Sequence, residues 1–173
     1  MQILENRDAW QADYQKSWLA EYHRSGETVW KLYNRPKNTT FSKSPGLKLS
    51  DKRLIFISSA GGYLPAKQPP YDAPNLLGDY SIRALPSDTP LDDIQYAHDH
   101  FDHTAVNTDA QVLVPLRHLE ALAEAGTIGE LAPNFITFMG YQPDVTRVLD
   151  ETIPAIIRAV KTEGADAAFL VPS

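Results

Sequence analysis

The sequence predicts an α/β fold: a three-layer domain on a mainly parallel, Rossmann-like sheet, preceded by an aromatic amphipathic helix. Three observations predict it. Short apolar runs rich in β-branched and aromatic residues recur at residues 53–58, 135–139 and 167–171. Helical patterns at residues 114–125 and 143–164 alternate with these runs. The runs are continuous rather than alternating, which is the pattern of strands covered on both faces, as parallel sheets require.

The elements follow in order. Residues 3–34 read as helix, because Trp10, Tyr14, Trp18 and Tyr22 recur every four positions with Leu19 beside them, while Asp8, Asp13, Lys16, Glu21 and Arg24 take the other face. Gly26 interrupts it, and Val29, Trp30, Leu32 and Tyr33 form a second apolar cluster. Residues 35–52 are a polar linker without periodicity. The first strand, Arg53–Ser58, ends in the turn Ser58-Ser-Ala-Gly-Gly62. Eight of the 13 prolines lie between Pro36 and Pro90, so residues 60–92 read as ordered loop with little regular structure. Residues 93–98 form a strand running into His98-Asp-His-Phe-Asp-His103. Residues 114–125 are helical, with Pro115 tolerated in the first turn and Gly126 as the stop. Phe135–Met139 is the next strand. Pro143 opens a long helix with the stripe Val145, Val148, Leu149, Ile153, Ile156, Ile157 and Val160, and Pro154 should kink it by removing a backbone donor. Gly164 closes that helix, and Ala167–Val171 is a final buried strand. Residues 1–52 thus form a helical extension and linker, and residues 53–173 the α/β domain.

Composition removes several function classes. The chain has 173 residues, 43% hydrophobic, with 16 basic against 22 acidic side chains, a formal net charge of -6 and no cysteine. Without cysteine there is no disulfide, thiolate metal site or thiol nucleophile within this sequence. Net negative charge argues against nucleic acid or anionic lipid as partner. No segment approaches the roughly 20 apolar residues of a membrane span, and the N-terminus lacks the regions of a secretory signal. A cytoplasmic location is expected. No GxGxxG, GxxxxGK[ST] or GxSxG pattern supports a dinucleotide, P-loop or serine-hydrolase reading.

In open α/β sheets, ligands collect beyond the carboxyl ends of the strands. That rule selects Ser58 to Gly62, His98 to His103, Met139 to Tyr141, and Pro172-Ser173. His98, His100, Asp102 and His103 are the candidate catalytic residues: three of the five histidines fall within six positions, and an imidazole serves as donor, acceptor or proton carrier near neutral pH. Ser58, Ser59, Gly61, Met139 and Gly140 are the candidate substrate-binding residues, offering hydroxyls and backbone donors. A substrate cluster without metal is the first reading. The alternative is a metal-binding protein or metal-dependent hydrolase that uses the His98-Asp-His-Phe-Asp-His103 cluster, with a single divalent metal on His98, His100 and His103. The letters match the HxHxDH pattern of the metallo-β-lactamase superfamily, whose downstream ligands are missing, since the later histidine, His118, lies in mid-helix. Solvated histidines on a non-catalytic, partner-binding α/β domain are the third reading.

The ordered set Ser58-Ser-Ala-Gly61, Gly78-Asp-Tyr-Ser-Ile-Arg83 with Pro86, His98-Asp-His-Phe-Asp102, Asp109, Val114-Pro-Leu-Arg-His-Leu119, Gly126-Thr-Ile-Gly129, Met139-Gly140 and Gly164-Ala-Asp-Ala-Ala-Phe-Leu-Val-Pro172 resembles the selenoprotein B family of glycine, betaine, sarcosine and D-proline reductases, particularly its short single-domain members. The likeness runs through residues 53–173. It implies a subunit for reductive carbon-nitrogen cleavage of a small amino acid or amine, acting with a pyruvoyl-containing partner subunit and a thiol donor such as thioredoxin. In that family the strand equivalent to Ala167–Val171 is followed at once by a selenocysteine or cysteine. The resemblance therefore implies a selenocysteine just after Ser173, a longer domain of which residues 53–173 are the N-terminal part, and no catalysis by these 173 residues alone. A homo-oligomer is compatible with all three readings.

Overall fold

The computed structural model describes residues 4–39 and 46–173. The helical segment begins with α1 (Arg7–Lys16) and α2 (Trp18–Ser25), followed by a short 3-10 turn, Trp30–Leu32. The expected single helix is broken at Ser17, whose hydroxyl donates back to the Asp13 carbonyl at 2.6 Å, an i−4 bond that competes with the helical ladder. The break does not interrupt the aromatic ladder. Trp10 stacks on Tyr14, Tyr14 on Trp18 and Trp18 on Tyr22, at centroid distances of 5.1, 5.5 and 6.0 Å. Gly26 ends α2 in the left-handed conformation, φ 74°. Of the expected linker, residues 40–45 lie outside the described residues.

The sheet follows. Strand β1 (Arg53–Ser58) leads to β2 (Gly62–Tyr63), β3 (Ile82–Pro86) and β4 (Gln95–Tyr96). Then come α3 (Thr104–Thr108), α4 (Leu116–Glu124), β5 (Glu130–Leu131) and β6 (Asn134–Phe138). The chain ends with α5 (Val145–Arg147), a π-turn at Val148–Thr152, α6 (Ile153–Thr162) and β7 (Ala167–Val171). The fold is α/β, and five of these strands form its main, mainly parallel sheet: β1 pairs in parallel with β5, β6 and β7, and β3, at one edge, runs antiparallel to β6, while β2 and β4 pair antiparallel in a separate two-stranded sheet. β3 lies in the stretch expected as loop. Its sequence hid it because, as an edge strand, only Leu85 of its five residues is buried.

Alternation along β1 builds three layers. Leu54 and Phe56 face a core completed by Leu116 and Leu119 of α4, while Ile55 and Ile57 face the opposite core, against Ile156, Ala159 and Val160 of α6. Each such fully buried aliphatic contributes about 1.5–3 kcal/mol of transfer free energy. The kink expected at Pro154 takes the form of the π-turn that precedes α6: a wider turn accommodates a ring that would otherwise meet the carbonyl four residues back.

Two expectations are corrected. The strand at residues 93–98 shrinks to Gln95–Tyr96 because Leu91–Asp93 coil into a 3-10 turn capped by the Pro90 carbonyl. The final strand is not buried: β7 is a sheet edge, with Phe169 42% and Leu170 64% exposed. Apolar sequence continuity identified a strand there, but it does not say how many layers cover it.

Candidate functional site

The carboxyl ends of β1, β6 and β7 converge on Ser59. Its N–H donates to the Val171 carbonyl at 3.1 Å, and its own carbonyl accepts from the Gly140 N–H at 2.9 Å. Its hydroxyl accepts from the Ser173 N–H at 2.8 Å and lies 3.1 Å from the Ser173 hydroxyl. One serine thus links three strand ends. The turn beyond it is pinned on both sides: the Gly61 N–H donates to Phe138, and the Gly61 carbonyl accepts from Ala97. Gly61 has φ 68°, and a Cβ there would stand 2.6 Å from the Ala97 carbonyl oxygen, so only glycine lets the two segments close.

That closure delivers His98 to the strand ends. Its ring is buried, 4% exposed. The His100 N–H donates to His98 Nδ1 at 3.2 Å, and His103 Nε2 donates to the His98 carbonyl at 2.8 Å, since a carbonyl can only accept. The His98 ring meets Phe101 and His100 edge-on, at centroid distances of 5.1 and 5.9 Å. Burial, reinforced by the neighbouring His100 and His103, pushes the His98 imidazole down to about 4, so it is neutral at pH 7.

The other candidates divide. Gly140 stands against His98 and Ser59: a Cβ on it would lie 3.2 Å from His98 Nε2 and 3.2 Å from Ser59 Oγ. His100 is exposed and stacks on Tyr141. Ser58 is fully buried and its hydroxyl donates to the Leu113 carbonyl at 2.9 Å, away from the cluster. Met139 is fully buried against Tyr71 and Ala73. Asp102 turns outward to accept from the Thr104 N–H and hydroxyl at the start of α3, and these two donors hold its carboxyl below the ordinary range. Among the described residues no group of three or more His, Asp or Glu side chains is placed to share a metal ion.

Sequence reasoning did not single out Tyr141 or Ser173 as site residues, although both lie within segments selected by the strand-end rule. What was missing is which side chains of a turn face inward, a property set by the tertiary bonds of Ser59. A groove of about 460 Å³ touches the cluster only through His103, and one of about 520 Å³ beside Asp88, Asp92 and Asp93 lies apart from it.

No described helix is long and apolar enough to cross a membrane. No solved structure gives a significant match. Curated relatives do. D-proline reductase subunit gamma of Acetoanaerobium sticklandii is 35% identical over 123 residues, covering 71% of this chain and 49% of the relative. Glycine reductase complex component B subunit gamma of Carboxydothermus hydrogenoformans is 27% identical, covering 73% of this chain and 29% of its own length. Sarcosine reductase complex component B subunit beta of Peptoclostridium acidaminophilum is 29% identical, covering 67% and 27%. The chain spans about half the length of the first and less than a third of the other two. The profile of the glycine/sarcosine/betaine reductase selenoprotein B family matches residues 26–173, a stretch that includes Ser59, His98, Gly140 and Ser173. By that match this chain belongs to the selenoprotein B family.

Proposed function

We propose that this chain is the N-terminal part of a reductase subunit that cleaves a carbon-nitrogen bond next to a carboxylate in a small amino acid or amine. The nucleophile is a selenocysteine supplied immediately after Ser173. One observation carries this reading: the backbone leaving β7 is held by the Ser173 N–H bond to Ser59 Oγ at 2.8 Å, beside His98 and Gly140. The next residue would enter the same cluster.

The chemistry needs few groups from this part. A selenolate attacks the carbon, the amine leaves with a proton, and a thiol then displaces the carbon product, which takes up a proton while a selenenyl sulfide forms. The relatives' names, all of reductase subunits and two of them of complex components, support partner subunits and nothing finer. The proposed partners are a subunit carrying a pyruvoyl group and a thiol donor, such as thioredoxin, that regenerates the centre.

The test is the DNA beyond the Ser173 codon. UGA followed in frame by proline and cysteine codons is expected, and the extended selenium-containing product should release amine from glycine, sarcosine or D-proline in a thiol-dependent assay with its partner subunit. A different stop codon, or no such codons, sinks the reading.

A further inference from the structure

Ser59 follows β1 directly, and its backbone carries the β1–β7 ladder one bond further: its N–H donates to the Val171 carbonyl at 3.1 Å. In a parallel ladder a paired residue donates to one residue of its neighbour and accepts from the residue two further on, so the next bond would run from the Ser173 N–H to the Ser59 carbonyl. The structure does something else. The Ser59 carbonyl accepts from the Gly140 N–H at 2.9 Å, just past the end of β6, and the Ser173 N–H goes to the Ser59 hydroxyl at 2.8 Å. The side chain has taken the place of the carbonyl as the ladder acceptor.

Further bonds close around that exchange. The Ser59 hydroxyl lies 3.1 Å from the Ser173 hydroxyl, which in turn lies 3.3 Å from the Ser59 carbonyl. A carbonyl only accepts, so the Ser173 hydroxyl donates to it and the Ser59 hydroxyl donates to Ser173. Three bonds in series thus run from the Ser173 N–H back to the Ser59 carbonyl, and both hydroxyl protons are used. Gly140 makes room for this: a Cβ there would stand 3.2 Å from Ser59 Cβ and Oγ, so a side chain would press on the hydroxyl that holds Ser173. Pro172 has no N–H, which makes the Ser173 N–H the first backbone donor past Val171.

We propose that Ser59 is a positioning residue: its hydroxyl, standing in for its own carbonyl, ties the exposed backbone at Ser173 to the ends of β1 and β6 and so sets where the nucleophile-bearing residue that follows enters the site. The proposal rests on the reading of this chain as the N-terminal part of a reductase subunit and gives Ser59 a defined part in it. Ser59 acts through Ser173 rather than on substrate. A serine suits the role because its short side chain accepts and donates at once; alanine does neither. Loss of the tie leaves the direction of the following residue unset, and a misplacement of about 1 Å at an attacking atom is enough to cost ~100-fold in rate.

The first readout uses the chain as it is, labelled with nitrogen-15. Ser173 is exposed, so protection of its amide against hydrogen exchange reports the bond rather than burial. That amide should exchange at least about fivefold more slowly than a free peptide amide. Ser59→Ala should remove the protection while amides inside the β1–β7 ladder keep theirs; Ser173→Ala, which retains the N–H bond, should keep most of it. The second readout is turnover by the extended selenium-containing product with its partner subunit. Ser59→Ala should lower kcat about tenfold or more and leave KM within about twofold, because substrate contacts are untouched. If Ser59→Ala fails to fold, Ser173→Pro deletes the same N–H from the exposed side and should give the same loss of kcat. A Ser173 amide exchanging at the free-peptide rate in the wild type, equal protection in Ser59→Ala, or a loss that falls on KM rather than kcat would each overturn the proposal. A protected Ser173 amide in an extended product that cleaves no substrate would defeat the reductase reading alone, whereas turnover that Ser59→Ala leaves unchanged would defeat the positioning role alone.

Discussion

The imidazole of His100 lies flat on the phenol ring of Tyr141, with centroids 3.6 Å apart and planes inclined by 15°. Trp30 meets the same phenol edge-on at 6.0 Å, and the Tyr141 hydroxyl donates to the Leu76 carbonyl at 3.0 Å. The aromatic cluster of the N-terminal helices therefore reaches the site: Trp18 to Trp30, Trp30 to Tyr141, Tyr141 to His100, and the His100 N–H to His98. Tyr141 is a positioning residue on this view. Its ring current should move the His100 ring protons upfield; Tyr141→Phe should keep that shift, and Tyr141→Ala should abolish it and cost about 2 kcal/mol of stability. A His100 spectrum unchanged by the alanine variant would show that the stack does not exist in solution.

Trp18 is the centre of the ladder, wholly buried, with Tyr14, Tyr22, Trp30 and Tyr33 around it. Truncation to alanine should cost about 3–5 kcal/mol in urea unfolding. Its indole N–H is buried without a partner, so Trp18→Phe removes a desolvated donor along with ring volume. The phenylalanine variant should lose less than half of what alanine loses. Equal losses would mean that the N–H finds a partner.

The layered order of strands and helices was legible because apolar continuity reports burial and the two periodicities report element type. The pieces read wrongly have two causes. Ser17 breaks a helix by a local side-chain bond to the Asp13 carbonyl. β3 hides its strand character behind half-buried residues at an edge, and β7 is apolar without being covered; these two depend on contacts between distant segments, which no local pattern records. The site behaves likewise: the strand-end rule located Ser59, His98 and Gly140, yet only tertiary bonds separate Ser59, at the convergence of three strands, from Ser58, turned toward Leu113.

The open edge has a consequence for the isolated chain. Leu170 shares a sheet face with Ile57 and is 64% exposed, while Phe169 on the other face borders an apolar groove of about 560 Å³ lined by Leu47, Leu119 and Leu122. An unpaired edge strand with apolar faces recruits further strands. Sedimentation velocity should show concentration-dependent self-association, and Leu170→Lys should suppress it while changing stability by no more than about 0.5 kcal/mol. A wild-type chain that stays monomeric across the whole range would refute this.

His98 should also leave a signature in the pH dependence of folding. The imidazole titrates near 6.5 when unfolded and is pushed down to about 4 in the fold, by burial first and then by His100 and His103, with a hydrogen bond to the His98 backbone and then Asp99 opposing. Between those values the unfolded chain binds a proton that the folded chain refuses, so stability rises with pH across that window. The contribution is fully present above pH 6.5 and is lost as pH falls toward 4, amounting to at most ~3 kcal/mol. Carboxylates held below their ordinary range, such as Asp102 and Glu151, begin to weigh in only near or below pH 4.5, which leaves the interval from 6.5 to 4.5 to the histidines. Urea unfolding of the wild type should weaken through that interval, and His98→Gln should flatten the curve there. If the slope survives the substitution, some other histidine carries it and the His98 ring is not held neutral by the fold.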